Sequence, residues 1–66
     1  MVISLTQIDS NVIWFLKEPI NEETKYILLT SEKNEAFNFN EQKEIEIQKH
    51  LIKAIRKNRI NNIEII

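Results

Sequence analysis

The chain contains no glycine and no cysteine, and it has one proline and one histidine. Without cysteine, disulfides cannot stabilise the fold. Because His50 has no second histidine at a helical or hairpin spacing, no metal site is expected either. Without glycine, we expect positive φ angles to occur at Asn or Asp, which tolerate them best after glycine. The expected turn and boundary positions are Asp9-Ser10-Asn11, Asn34, Asn58, Asn61 and Asn62.

Strong charge of either sign is also missing, since the formal net charge is −1. Such a chain has no general attraction to nucleic acid or to anionic lipid. The segment "MVISLTQIDS" lacks a basic start and interrupts its apolar residues with polar ones. A signal peptide or a membrane span is therefore not expected, and we predict a cytoplasmic protein.

A length of 66 residues predicts one domain, residues 1–66. A domain of this size buries only about 60% of the surface that its unfolded chain exposes. Its stability margin is expected to be small, and small domains usually add disulfides, a metal or a partner chain. Since the composition excludes disulfides and disfavours a metal, association with another chain is the route that remains open.

The first half of the chain has strand patterns. "VISLTQI" (2–8) alternates apolar and polar residues, whereas "NVIWFLK" (11–17) and "KYILLTS" (25–31) are apolar on both faces. Asp9-Ser10-Asn11 predicts a hairpin turn between the first two strands, and Glu18-Pro19 ends the second. "AFNF" (36–39) is an optional further strand, with Phe37 and Phe39 on the same side.

From Asn40 onward the apolar period becomes helical. A helical wheel over residues 41–58 gathers six apolar residues in one half: Ile45, Ile47, Leu51, Ile52, Ala54 and Ile55. Asn40 is the predicted N-cap, and "IEII" (63–66) is predicted to be a last strand. The expected fold is α+β, with an antiparallel sheet of four to five strands that begins with a β-hairpin. One amphipathic helix packs on one face of that sheet, and a short strand follows it.

The two-sided apolar strands bear on function, because one helix can cover only one face of a sheet. We expect an exposed apolar face that carries either Trp14, Leu16 and Leu28 or Ile13, Phe15 and Ile27. Such a patch usually marks a protein interface. The predicted interface residues are Trp14, Leu16, Tyr26 and Leu28. The alternative is a sheet that curls into a small barrel and buries both faces.

The helix supplies a second candidate surface. Residues 48–60 carry five basic residues and no acid, whereas residues 9–46 carry nine acids and four bases. The cationic stripe of the helix, Lys49, Lys53, Arg56 and Lys57, is one footprint of phosphate binding. The competing interpretation is a solvated face whose last-turn cations are favoured by the helix dipole.

No catalytic or cofactor-binding pattern is present in the sequence. His50 lacks a partner and a pocket motif, and Ser4, Ser10 and Ser31 have no nucleophile motif around them. We therefore expect no enzyme, no cofactor, no metal and no small-molecule substrate.

The expected function is a protein-interaction module, either a homodimer or an accessory subunit that binds a larger protein. A nucleic-acid-binding regulator that uses the basic helix face is the alternative. In size and composition the chain is similar to accessory proteins of phages and mobile elements, which implies a regulator or inhibitor of a host protein. No membrane partner is expected, since the apolar half of the helix is needed by the sheet.

Overall fold

Four strands and one helix make up the fold. The computed structural model describes residues 1–57 and 59–66 and, of Asn61, the backbone alone. The elements in chain order are β1 (Ile3–Gln7), β2 (Ile13–Leu16), β3 (Leu29–Thr30), a 3-10 turn (Lys33–Glu35), α1 (Gln42–Arg56) and β4 (Ile60–Ile65). This is the predicted α+β fold with an antiparallel sheet.

The sheet is open and has the strand order β3-β2-β1-β4, with every pair antiparallel. In the middle of β1, Ser4 lies opposite Phe15 on one side and Glu64 on the other. Leu5 lies opposite Trp14 and Ile63 in the same way. Because β3 and β4 form two separate edges, the small-barrel alternative is wrong.

The helix covers one face of the sheet, called here the helix face. Ile3 and Leu5 of β1 lie on it, and Leu16 of β2 joins them through the pairing register. They pack with Ile45 and Ile52 of α1, and all five side chains are fully buried. Burial of each such side chain contributes about 1.5–3 kcal/mol, so this single layer supplies most of the apolar stabilisation.

The connection between β2 and β3 also crosses the helix face. Ile20 is buried there, and its N–H donates to Oε1 of Gln48 at 2.8 Å. Gln48 is itself buried, between Ile45 and Ile52 on the helix, while Ile47 and Ala54 are exposed. The wheel that placed Ile47 and Ala54 in the covered half was wrong at these two positions, because the covered side of the helix is centred on Ile45, Gln48 and Ile52. Gln48 can lie there because it accepts the N–H of Ile20, which an apolar side chain could not do.

Residues 36–39 are extended but do not form the further strand. The N–H of Phe37 donates to the carbonyl of Leu16, and the N–H of Phe39 donates to the carbonyl of Met1, both across the end of the sheet. The rings of Phe37 and Phe39 lie on the same side, in an edge-to-face contact at 4.6 Å. The segment therefore closes one end of the core, with Phe39 buried.

Three boundaries differ from the sequence prediction. The helix begins at Gln42, its N-cap residue is Glu41 with no side-chain capping bond, and so Asn40 does not cap it. β4 begins at Ile60 and not at 63, because the ladder with β1 extends to Gln7. β3 is reduced to two residues, because its pairing with β2 ends at Lys17, whose N–H donates to the carbonyl of Leu28. The predicted boundary at Asn58 falls outside the described residues.

Positive φ angles occur at Asp9 (66°) and Lys25 (53°). Asp9 lies in the predicted hairpin turn, as expected for a chain without glycine. A positive φ at Lys25 was not expected, so the prediction that such angles occur at Asn or Asp was wrong at this position. Its N–H donates to the carbonyl of Asn21, which closes a single helical turn that ends in a left-handed residue.

Candidate functional sites

The second side of the sheet, called here the open face, is not covered by the helix or by the β2–β3 connection. Its central residues follow from the register, since side chains alternate along each strand. The middle row consists of Thr30, Phe15, Ser4 and Glu64, side by side. The next row consists of Ile13, Thr6 and Asn62. On its other side the middle row is flanked by Leu28 with its partner Lys17, and by Val2 with its partner Ile66.

Large apolar side chains on the open face are accessible. Ile13 is 53% exposed and Phe15 is half-buried. Ser4 is only 5% exposed, because it is small and lies between Phe15 and Glu64 in its row. The surface therefore has bulky side chains on β2 and small ones on the adjacent strand β1.

The four predicted interface residues do not share this surface. Leu16 is in the core and Trp14 is half-buried on the helix face, opposite Leu5. Tyr26 is 70% exposed in the loop before β3. Of the four, Leu28 alone borders the open face. The expected grouping of Trp14 and Leu16 with Leu28 was wrong, because β3 pairs in the register that puts Leu29 opposite Leu16.

A second site lies at the C-terminal end of α1. Four cations and one aromatic ring surround an open groove of about 630 Å³, called here the basic groove. Its lining residues are Lys25, Tyr26, Ile27, Ile55, Arg56, Lys57 and Arg59. None of the described residues that line it is acidic, so the groove concentrates positive charge in a chain whose net charge is −1.

The cations of the basic groove are not neutralised by salt bridges. In the described part of the chain, the ion pairs are Lys17 with Glu35 at 3.7 Å and Lys49 with Glu46 at 3.9 Å. Neither pair includes Lys25, Arg56, Lys57 or Arg59. A carboxylate, Asp9, does occur in a smaller neighbouring cleft with Arg56 and Arg59.

The predicted basic stripe of the helix is divided between two places. Arg56 and Lys57 line the basic groove. Lys49 and Lys53, again with Lys57, line a cleft of about 170 Å³ between the helix and β4. The sequence prediction omitted Lys25, because 31 residues separate it from Arg56 and only the fold brings the two together.

Among the described residues there is no cluster of three or more His, Cys, Asp or Glu that could hold a metal ion. His50 is exposed on the helix. Glu46, one turn earlier, accepts a hydrogen bond from Gln42 at 3.0 Å. No helix in the part of the chain that was described has the length and apolar character to cross a membrane.

No protein-family model matches this chain, and searches of curated proteins and of solved structures likewise found no match.

Proposed function

We propose that this protein is a non-enzymatic interaction module that forms a homodimer through the open face of its sheet. The observation that carries the proposal is the size pattern on that face. In each row a large side chain of β2 adjoins a small one of β1: Phe15 beside Ser4, and Ile13 beside Thr6.

A two-fold axis parallel to the strands and between β1 and β2 makes this pattern self-complementary. Stacking two copies about that axis places β2 of one over β1 of the other. Phe15 then lies over the partner's Ser4, and Ile13 over the partner's Thr6. At the margins, Leu28 lies over the partner's Ile66. Sheets stack in this aligned manner about 10 Å apart, with large and small side chains interdigitating.

Stacking of this kind supplies burial that the monomer lacks. Seven hydrophobic side chains are buried in the described residues, all in the layer between helix and sheet or at its ends. The open face is about 19 Å by 20 Å, from four strands and three rows at standard spacings. That footprint of about 380 Å² per copy is roughly half of the about 800 Å² per partner that a standard interface buries, so we expect a weak dimer that dissociates on dilution.

The exposed edge of β4 is a less suitable contact. Pairing of two β4 edges would continue the sheet and put both helices on one side. The clefts that contain Lys49, Lys53 and Lys57 would then face each other, with six ammonium groups close together. Face-to-face stacking keeps these lysines apart, because the helices lie on the outer sides of the sandwich.

The two aromatic residues of β2 provide a matched test, because they point to opposite sides of the sheet. We expect Phe15→Ala to abolish the dimer in sedimentation velocity while far-ultraviolet circular dichroism keeps its helical signal. Trp14→Ala removes a half-buried side chain from the helix face, so it lowers the unfolding temperature and leaves the dimer intact. Loss of the dimer only in the Trp14 variant would overturn the assignment of the contact to the open face.

A monomeric wild type at all concentrations would overturn the homodimer. The larger-protein partner that the sequence predicts, with a regulatory or inhibitory role, would then be the occupant to test on the same face. The cytoplasmic location stays a prediction.

A further inference from the structure

The basic groove lies outside the surface that the proposed dimer would use. We infer that it binds the phosphate backbone of a single-stranded nucleic acid, with Tyr26 stacking against a base. Its four cations come from separate parts of the chain. Lys25 lies in the β2–β3 connection, Arg56 and Lys57 lie at the end of α1, and Arg59 lies before β4.

Stabilisation of the helix does not account for this cluster. Cations in the last turn interact favourably with the helix dipole, and that explains Arg56 and Lys57. Lys25 and Arg59 are outside the helix, and each adds repulsion to the two cations already present. Lys25 is also held at a φ of 53°, a left-handed conformation that is unfavourable for a residue with a side chain. An anionic ligand would offset the repulsion.

The shape of the groove favours a single strand over a duplex. Proteins that read duplex DNA commonly insert the length of a helix or a β-ribbon into the major groove. Here the cations surround an open groove at the end of a helix, and no helix or β-ribbon of the described chain projects from it. Tyr26 is 70% exposed beside them. Cations that follow a backbone beside an aromatic ring are typical of single-strand binding.

The groove lies on the helix side of the molecule, so stacking of the open faces leaves it accessible. The inference goes beyond the proposed dimer, and either can fail alone. A Phe15→Ala monomer that still binds nucleic acid would separate the two.

Fluorescence anisotropy with labelled oligonucleotides tests the groove. The probes are single strands of oligo-dT and oligo-U, each twelve nucleotides long, and a DNA duplex of the same length. With four phosphate contacts, affinity for a single strand should fall about 50-fold between 50 and 200 mM salt. The single strands should bind more tightly than the duplex.

Two pairs of variants locate the contact. Lys25→Gly removes one cation while relieving the positive φ, so it should fold at least as well as the wild type. We expect it to weaken binding about 8-fold at 50 mM salt, whereas Lys43→Ala, the same charge change about 20 Å away at the helix start, should change it little. Tyr26→Ala should weaken binding about 5-fold or more. Tyr26→Phe keeps the aromatic ring and should bind as tightly as the wild type.

Four results would overturn the inference. They are no binding of either single strand at 50 mM salt, equal loss in the Lys25 and Lys43 variants, duplex binding as tight as single-strand binding, and unchanged affinity in Tyr26→Ala. Equal loss would indicate that lysines outside the groove contribute as much as Lys25 does, and tight duplex binding would indicate a different nucleic-acid ligand.

Discussion

The two faces of the sheet are made from the same four strands and differ in composition. On the helix face, Leu5 and Leu16 are fully buried, and the apolar residues of neighbouring strands meet in one layer. On the open face, β2 presents Ile13 and Phe15 beside the small polar residues of β1. The comparison gives the two apolar sides of β2 different environments, and we propose different roles for them. One side stabilises the monomer, and the other is available to a partner.

The largest expected effect distinguishes the two faces by stability. Leu16→Ala removes a fully buried side chain of the helix face and should lower the free energy of unfolding by about 2–5 kcal/mol. A chain of this length has a total of roughly 3–10 kcal/mol, so part of the variant would be unfolded at 25 °C. Urea denaturation of dilute protein measures the change.

The matched variant on the open face is Ile13→Ala. At concentrations below dimer dissociation, we expect a loss of less than about 1 kcal/mol, since Ile13 is already 53% exposed. Comparable losses for Ile13 and Leu16 would mean that the open face is covered within the monomer, and the comparison of the two faces would fail.

An intermediate effect is expected from the polar contact inside the helix face. Gln48→Ala leaves the buried N–H of Ile20 without its acceptor, so it should cost about 1–3 kcal/mol. Gln42→Ala on the exposed side of the same helix removes a hydrogen bond to Glu46 and should cost less than about 0.5 kcal/mol. Thermal denaturation followed by circular dichroism compares the two. Equal costs would show that the loop containing Ile20 does not depend on Gln48.

The smallest effect separates stability from association. Lys25→Gly relieves a positive φ in the connection that covers the helix face, and we expect about 0.5–1 kcal/mol of stabilisation. The open face is untouched, so the dimer dissociation constant should not change. Destabilisation by this variant would mean that the Lys25 side chain makes a contact more important than the backbone strain.

Local patterns predicted the hairpin, the helix and the α+β class, because alternation and helical period are encoded in neighbouring residues. The pairing register was not predictable in this way. A slip of one residue exchanges the two faces of a strand, so Ile27 and Leu28 were assigned to the wrong groups. Gln48 was overlooked because its partner, the N–H of Ile20, is 28 residues away.

The candidate sites were predicted only in part, for the same reason. An exposed apolar face followed from "VIWFL", yet three of its four named residues lie elsewhere. The basic residues of the helix were visible in the sequence. Their combination with Lys25 and Tyr26 depends on how the β2–β3 connection folds back toward the end of α1.

The central claim is that the open face is covered by a second copy, and the molar mass in solution tests it most directly. Light scattering over a dilution series at low and high salt should give a mass near twice 7.9 kDa at high concentration, falling to 7.9 kDa on dilution. The midpoint should change little between the two salt concentrations, because the residues at the centre of the contact, Phe15, Ser4, Ile13 and Thr6, are uncharged. A mass of 7.9 kDa throughout, or a midpoint that moves strongly with salt, would contradict the account.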